Sequence, residues 1–163
     1  MSLLSVRDLS LAIHGAPILS DIAFDIDEGA IFGLVGESGS GKSMTALALM
    51  GLLPPGATAE GSALFLGRDL LALSEQGLTA LRGSEIGMIF QEPMTALNPM
   101  KTIGDQVAET LVIHRAASRP QAREVARARL ARVGLSEDRF PLSLYPHELS
   151  GGQRQRVAIA MAI

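Results

Sequence analysis

The chain has 163 residues, of which 47% are apolar and 19% charged, and its formal net charge is −3 at pH 7. This size and composition predict one folded domain with a buried core and exclude an intrinsically disordered chain. The net charge argues against a basic surface for nucleic acid, and the absence of cysteine excludes disulfides, thiolate zinc sites and iron–sulfur clusters within the chain. No apolar run approaches the ~20 residues that span a bilayer, so we expect a soluble cytoplasmic protein.

The first part of the chain is predicted to consist of strands and one helix. Residues 3–13 are compatible with a strand, and the period-two alternation of residues 22–26 indicates a strand with one buried face. Residues 30–35 are apolar at odd and even positions alike, which predicts a strand buried on both faces in a parallel sheet. A compact helix is predicted from Met44 to Leu53.

The rest of the chain is predicted to be mainly helical. Residues 62–66 and 86–90 are short strand candidates. The predicted helices are 70–81, 103–114, 120–133 and 150–163. Pro120 in a first turn and Gly134 just past an end support the third of these helices.

A glycine-rich loop follows the predicted buried strand. Residues 36–43 read GESGSGKS and match the pattern G-x-x-x-x-G-K-[ST] at every position, with a predicted helix after them. Glycines let backbone N–H groups point inward at phosphate oxygens, and the helix start adds its positive dipole end. Lys42 places a cation near the β- and γ-phosphates, and Ser43 offers a hydroxyl to Mg²⁺. The predicted phosphate-binding residues are Gly36, Ser38, Gly39, Ser40, Gly41, Lys42, Ser43 and Met44.

The loop alone does not distinguish GTPases, kinases and ATPases, which all share it. Guanine recognition through an N-K-x-D motif is excluded because the only asparagine is Asn98, which Pro99 follows. The sequence therefore argues against a GTPase.

A second glycine motif begins the last predicted helix, where Leu149–Gln153 reads LSGGQ. A serine and two glycines at a helix start describe either an anion-binding end or a cap with a flexible lead-in. Together with the phosphate loop, LSGGQ resembles the signature motif of ABC-type ATPases. In that family the signature of one subunit contacts the γ-phosphate of a nucleotide held by the other subunit. The resemblance implies this contact for Ser150, Gly151, Gly152 and Gln153, in a head-to-tail dimer.

The segment Met88–Pro93, which reads MIFQEP, lies between the two motifs. A polar residue directly after an apolar strand can reach a metal or a water at the carboxyl edge of a sheet. Gln91 resembles the metal-sensing glutamine of the family's Q-loop. The resemblance implies that Gln91 and Ser43 together bind Mg²⁺ and that Gln91 and Lys42 both take part in catalysis. Two other interpretations stay open: Gln91 is a plain strand-end residue, or residues 86–92 form a Walker B strand with Glu92 as the metal carboxylate.

A longer stretch resembles the ATPases of oligopeptide, dipeptide and nickel importers. It comprises residues 91–100, 102–107 and 145–148, and the resemblance covers essentially the whole chain. It implies an ATP-binding subunit, peripheral on the cytoplasmic face of the cell membrane, that binds transmembrane permease subunits and a second ATP-binding subunit but no nucleic acid. Residues 93–115 are expected to contact the permease. The alternatives are a soluble ABC ATPase of DNA repair or translation, and a non-catalytic nucleotide-binding fragment.

The resemblance implies an α/β P-loop NTPase fold of the ABC type, with a parallel core sheet, a small antiparallel β part and a helical subdomain. The expected parts are a nucleotide-binding core over 1–92, a helical subdomain over 93–149, and the signature motif with the start of its helix over 150–163. The family continues into a strand ending in Asp-Glu, a D-loop and a switch histidine, which this sequence does not contain. We therefore expect the N-terminal portion of an ABC ATPase, one that binds ATP and Mg²⁺ but does not hydrolyse ATP alone.

The family's adenine-stacking aromatic residue has no counterpart here, because Ile13 or His14 falls at its place. His14 and His114 are expected in a loop and at a helix end, and His147 is expected to have a structural role.

A basic helix carries Arg119, Arg123, Arg127, Arg129 and Arg132. We interpret it as a solvated face that Glu124 partly balances, with a nucleic-acid or headgroup contact as the alternative.

Overall fold

The computed structural model describes residues 2–90, 97–114 and 118–163. Its elements are β1 (Ser2–Ile13), β2 (Ala16–Asp27), α1 (Lys42–Leu49), β3 (Ala57–Phe65), β4 (Arg68–Asp69), α2 (Glu75–Leu81), α3 (Ile103–Ile113), α4 (Arg119–Arg132) and α5 (Gly151–Ala162). A short 3₁₀ turn, Pro146–Glu148, precedes α5. The chain divides into two compact units, residues 1–79 and residues 80–163.

The first unit is built on an antiparallel sheet with the strand order β2-β1-β3-β4. β1 and β2 form a hairpin because His14 and Gly15, at the turn, both adopt positive φ angles of 50° and 83°. β1 lies between β2 and β3, and its Val6, Leu9 and Leu11 are buried. The small antiparallel β part expected from the sequence is therefore present.

The predicted helix over 70–81 is shorter than expected and begins at Glu75. The cause is Asp69, which ends the two-residue strand β4. Its Oδ1 accepts hydrogen bonds from the N–H groups of Ala63, at 3.0 Å, and of Leu71, at 3.1 Å. An aspartate that bonds nearby backbone N–H groups favours a turn over a helix.

The prediction of a buried strand over residues 30–35 is wrong. No strand is assigned there, and Ile31 and Val35 are 102% and 90% exposed. Within the described ranges no strand pairs with this segment, so its backbone has no ladder to join. Phe32 finds one partner, the ring of Phe24, with the centroids 4.9 Å apart. An apolar run indicates that a segment is favourably buried. It forms a strand of a parallel sheet only where neighbouring strands are present to pair with it.

The strand candidate over residues 86–90 is also not formed. In the described part of the chain, its pairing is a single parallel bridge between Ile86 and Arg82. Gly87 lies against the end of α5, where an added Cβ would be 2.6 Å from the carbonyl oxygen of Ala162. Close backbone packing of this kind tolerates only glycine.

The second unit packs α3, α4 and α5 around one hydrophobic core. The buried members of this core are Leu97, Ile103, Val107, Ala108, Ala122, Ala126, Leu130, Leu135, Leu142, Leu149, Val157 and Ala160. Each helix begins at a hydroxyl N-cap residue: Thr102, Ser118 or Ser150. Such caps satisfy backbone N–H groups that have no partner inside the helix. None of the helices in the described ranges is long and apolar enough to cross a membrane.

Candidate functional site

The glycine-rich loop curls around the side chain of Lys42. The Lys42 Nζ donates hydrogen bonds to the carbonyl oxygens of Gly36, at 2.7 Å, and Glu37, at 2.6 Å, and to Ser40 Oγ, at 3.3 Å. These three acceptors belong to residues of the loop itself, so the ammonium group lies within its curl. An ammonium in this position adds a full positive charge to the donors that a phosphate group requires.

α1 begins directly after the loop. Gly41 is its N-cap residue, with φ at 90°, and no side chain caps the helix start. The first intrahelical bond runs from the Thr45 N–H to the Gly41 carbonyl at 2.9 Å. The N–H groups of the first turn have no partner within the helix, and that turn carries no acidic side chain. This helix start is suited to an anion.

A residue that the sequence did not identify fixes the position of Gly41. Leu19 of β2 is buried, and its Cδ2 atom would lie 2.2 Å from a Cβ added at Gly41. Two independent features therefore require glycine at this position: its positive φ and the close approach of Leu19. The only sequence signal for Leu19 is its place in a strand of alternating burial, which does not reveal its contact with the loop.

The remaining loop residues are open to solvent. Residues 36–40 are exposed, and Gly39, with φ at 84°, has open space around its α-carbon. Ser43 is exposed, and its hydroxyl makes no hydrogen bond with any residue that the structure describes. Met44, on the same turn, is partly buried. Loop backbone, Lys42 and Ser43 thus form one continuous accessible surface at the start of α1.

The second motif is the N-terminus of α5. Ser150 and Gln153 form a capping box, in which the Ser150 N–H donates to Gln153 Oε1 at 2.8 Å and the Gln153 N–H donates to Ser150 Oγ at 3.4 Å. Gly151 is exposed, and Gly152 is exposed with nothing within 4 Å of an added Cβ. Leu149 is buried, and its carbonyl accepts from Arg154 Nε at 3.0 Å. The motif is anchored in the core on one side and accessible on the other.

The turn before this motif is also ordered by side chains. Glu148 Oε2 accepts a hydrogen bond from the Tyr145 N–H at 2.7 Å. The rings of Tyr145 and His147 are stacked, with centroids 5.6 Å apart. His147 thus contacts a neighbouring ring, and its structural role stays a prediction.

Some of the remaining predicted site residues lie outside the described part of the chain, and others lie within it. Gln91 and Glu92 lie outside the described residues, so all three interpretations of that segment stay predictions. His14 lies in the β1–β2 turn, with its ring against Gly56, and His114 ends α3. Both histidines are where the sequence placed them. No group of three or more histidine and acidic side chains that could hold a metal occurs among the described residues.

The basic helix is α4, and one of its arginines is paired on both sides. Arg127 forms ion pairs with Glu124 and with Glu137, the latter also through Nη2 to Oε1 at 3.0 Å. The guanidinium lowers the pKa of the Glu124 carboxyl by hydrogen bonding and by its charge. Glu124 therefore balances part of the positive charge, as the sequence predicts.

Comparison with known proteins places the motifs in a family. The profile of the ABC transporter family matches residues 19–163. The peptidoglycan transport ATP-binding protein YejF of Agrobacterium fabrum is 52% identical, with 99% of this chain and 31% of that protein covered. The oligopeptide transport ATP-binding protein OppD of Escherichia coli is 46% identical, with coverages of 99% and 49%.

A solved structure shares the fold. The ATP-binding cassette MJ0796, solved as a dimer in a post-hydrolysis state bound to ADP and Pi, is 31% identical and superposes with a TM-score of 0.82. The alignment covers 98% of this chain and 68% of that one. The ABC-type fold expected from the two motifs is confirmed. The chain spans less than half the length of the two curated transport proteins described above.

Proposed function

Because this chain belongs to the ABC transporter family, we propose that it forms the nucleotide-binding part of the ATP-binding subunit of a peptide importer. The observation that carries the proposal is the phosphate loop, with Lys42 Nζ held 2.7 Å from the Gly36 carbonyl at an uncapped helix start. The names of the two curated relatives, which refer to oligopeptide and peptidoglycan transport, support the transport role and the class of substrate.

In this proposal the start of α1 binds the phosphates of ATP. Lys42 exchanges its contacts with the loop carbonyls for phosphate oxygens, and the N–H groups of the first helical turn donate to the same anion. Ser43, whose hydroxyl is exposed and without a described partner, is a ligand for Mg²⁺. Bound Mg²⁺ would neutralise charge on the phosphates. Gln91 would complete the metal site, as its resemblance to the Q-loop implies.

The signature motif is proposed to act on the nucleotide of a second subunit. Its glycines are exposed at a helix start whose N-cap side chain already serves Gln153. The positive end of α5 therefore faces solvent at a place where a γ-phosphate can approach without a steric barrier. The dimeric state of the related cassette supports a paired arrangement.

Partners and location follow from the same proposal. Transport requires membrane-spanning subunits, and none of the helices in the described ranges could span a bilayer. We propose that permease subunits hold this protein at the cytoplasmic face of the membrane and that residues 93–115 contribute to that contact. Met100, in this stretch, is 83% exposed, which suits an apolar contact with a partner.

Replacing Lys42 tests the nucleotide site. Lys42→Ala should weaken ATP binding by about one to two decades, because a charge-assisted hydrogen bond contributes ~1.5–3 kcal/mol. Titration calorimetry on the full-length subunit measures the affinity. Lys101→Ala is the matched control, since Lys101 is the chain's other lysine and pairs with Glu109. Equal ATP affinities for the two variants would show that the phosphate loop is wrongly assigned.

Hydrolysis is proposed to need residues beyond this stretch of the protein. Phosphoryl transfer requires a carboxylate on the metal and a residue that orients the attacking water, and one missing general base typically lowers the rate by ~10²–10⁴. Residues 1–163 expressed alone should therefore show no ATP turnover above a Lys42→Ala sample. Turnover that disappears in that sample would assign the carboxylate to this stretch, with Glu92 as the first candidate.

A further inference from the structure

A cavity of about 430 Å³ lies in the second unit between α3 and the start of α4. This volume falls in the range of roughly 300–1,000 Å³ that is usual for small-molecule sites. None of its lining residues belongs to the phosphate loop or to the signature motif. The nucleotide site does not account for it.

One wall of the cavity, formed by α3, is mostly apolar. Ala108, Val112 and Ile113 contribute carbon atoms, and Asp105 and Glu109 stand on the same helix. Glu109 is already paired, with Lys101 at the rim. Asp105 offers its carboxylate without any partner among the residues that the structure describes. This wall therefore combines a surface for an apolar side chain with one available negative charge.

The other wall carries two cations from α4. Arg119 and Arg123 line the cavity, and neither forms an ion pair or a hydrogen bond with a described residue. Arg119 stands in the first turn of α4, where a cation is unfavourable because of the helix dipole. Unlike Arg127, which pairs with two glutamates, these guanidinium groups are left available for an anion.

Opposite charges thus line one cavity without pairing across it. The two helices cannot easily close the gap, because Val107 of α3 and Ala122 and Ala126 of α4 are fixed in the shared core. Both helix starts are also capped: Thr102 Oγ1 accepts from the Asp105 N–H, and Gln121 Oε1 accepts from the Ser118 N–H. The helix backbones that carry these charges are therefore fixed before a ligand arrives, which removes the backbone part of the ordering cost of binding.

We propose that this cavity binds a short peptide with free termini. The terminal carboxylate pairs with Arg119 and Arg123, whose planar guanidinium groups suit bidentate contacts with carboxylates. The terminal ammonium pairs with Asp105, and an apolar side chain covers the α3 wall. The choice of a peptide rests on the proposed function, since a peptide importer delivers this class of molecule to the cytoplasm. Because the α3 wall of the cavity lies within residues 93–115, the stretch proposed to contact the permease, a bound peptide would signal at that contact that product has accumulated.

Calorimetry on the full-length subunit, purified without its membrane partners, tests the proposal. The probe is alanyl-leucyl-alanine, compared with its N-acetylated form and its C-terminal amide. Each cap removes one terminal charge and should weaken binding roughly 10- to 100-fold, because each charged contact is worth one to two decades. Arg123→Gln and Asp105→Asn should weaken the uncapped peptide similarly. Arg132→Gln is the matched control on α4, outside the cavity, and should bind as the unchanged protein does.

The outcomes separate this site from the nucleotide site, because ATP affinity is measured on the same samples. Peptide binding with the expected cap dependence supports the cavity site even if ATP fails to bind, a result that would contradict the proposed function alone. Intact ATP binding without any peptide binding overturns the cavity site. Equal binding of the N-acetylated and uncapped peptides also overturns it, and would indicate an anionic protein segment as the occupant. The capped peptides keep the proposal falsifiable where a variant fails to fold.

Discussion

Gly41→Ala should destabilise the full-length subunit by about 2–5 kcal/mol and remove measurable ATP binding. A side chain at the left-handed φ of 90° costs roughly 1–2 kcal/mol. The new Cβ would also lie 2.2 Å from Leu19 Cδ2, and relieving that overlap in a packed site costs about 1–3 kcal/mol more. Any shift that relieves the overlap moves the start of α1 and the loop around Lys42. Urea unfolding followed by circular dichroism measures the stability, and calorimetry measures the affinity.

The chain supplies a matched control for this substitution. Gly39 has nearly the same φ, 84°, but nothing lies within 4 Å of its added Cβ. Gly39→Ala should therefore show only the conformational cost, about 1–2 kcal/mol. Combining Gly41→Ala with Leu19→Ala should cost less than the two single changes added, because the double variant has no overlap to relieve. Equal losses for Gly39→Ala and Gly41→Ala, or strict additivity with Leu19→Ala, would contradict the packing explanation.

Local signals in the sequence were sufficient for the helix α4 and for the cap of α5. The proline in the first turn of α4 and Gly134, with φ at 79°, bracket a helix found at Arg119–Arg132. Ser150 and Gln153 form the capping box that a serine followed three residues later by glutamine indicates. Both are interactions between residues close in sequence, which is why a pattern can reveal them.

Contacts between distant residues could not be predicted in the same way. The apolar run at 30–35 indicates burial on two faces, yet Ile31 and Val35 are exposed because no described strand pairs with them. The contact of Leu19 with Gly41 joins a strand to a loop 22 positions away, and no periodicity encodes it. The sequence alone predicts that the arginines of α4 lie on a solvated face. The cavity beside Arg119 and Arg123 depends on the packing of α3 against α4, which the sequence does not reveal.

Ser150→Arg should lower ATP hydrolysis by the complete subunit about 10²–10³-fold, the usual effect of removing one donor to transition-state charge. The serine is exposed at the start of α5, so a long side chain there fills the approach to Gly151 and Gly152 without entering the core. ATP binding by the isolated subunit should be unchanged, because the phosphate loop belongs to the other unit of the fold. Ser143→Arg, at an exposed serine of the same unit, controls for the added bulk and charge.

Mixing two inactive variants decides whether the signature serves its own nucleotide or that of a second copy. In a head-to-tail pair, a Lys42→Ala copy still presents an intact signature to the intact phosphate loop of a Ser150→Arg copy. One of the two sites in such a pair is therefore complete, and hydrolysis should reappear when the two inactive preparations are mixed. If each signature acts on its own chain, both sites of the mixed pair are defective and the mixture stays inactive. Each variant alone, at the same total concentration, gives the baseline, and an inactive mixture in which paired subunits are detected by light scattering would refute the proposed role of Ser150.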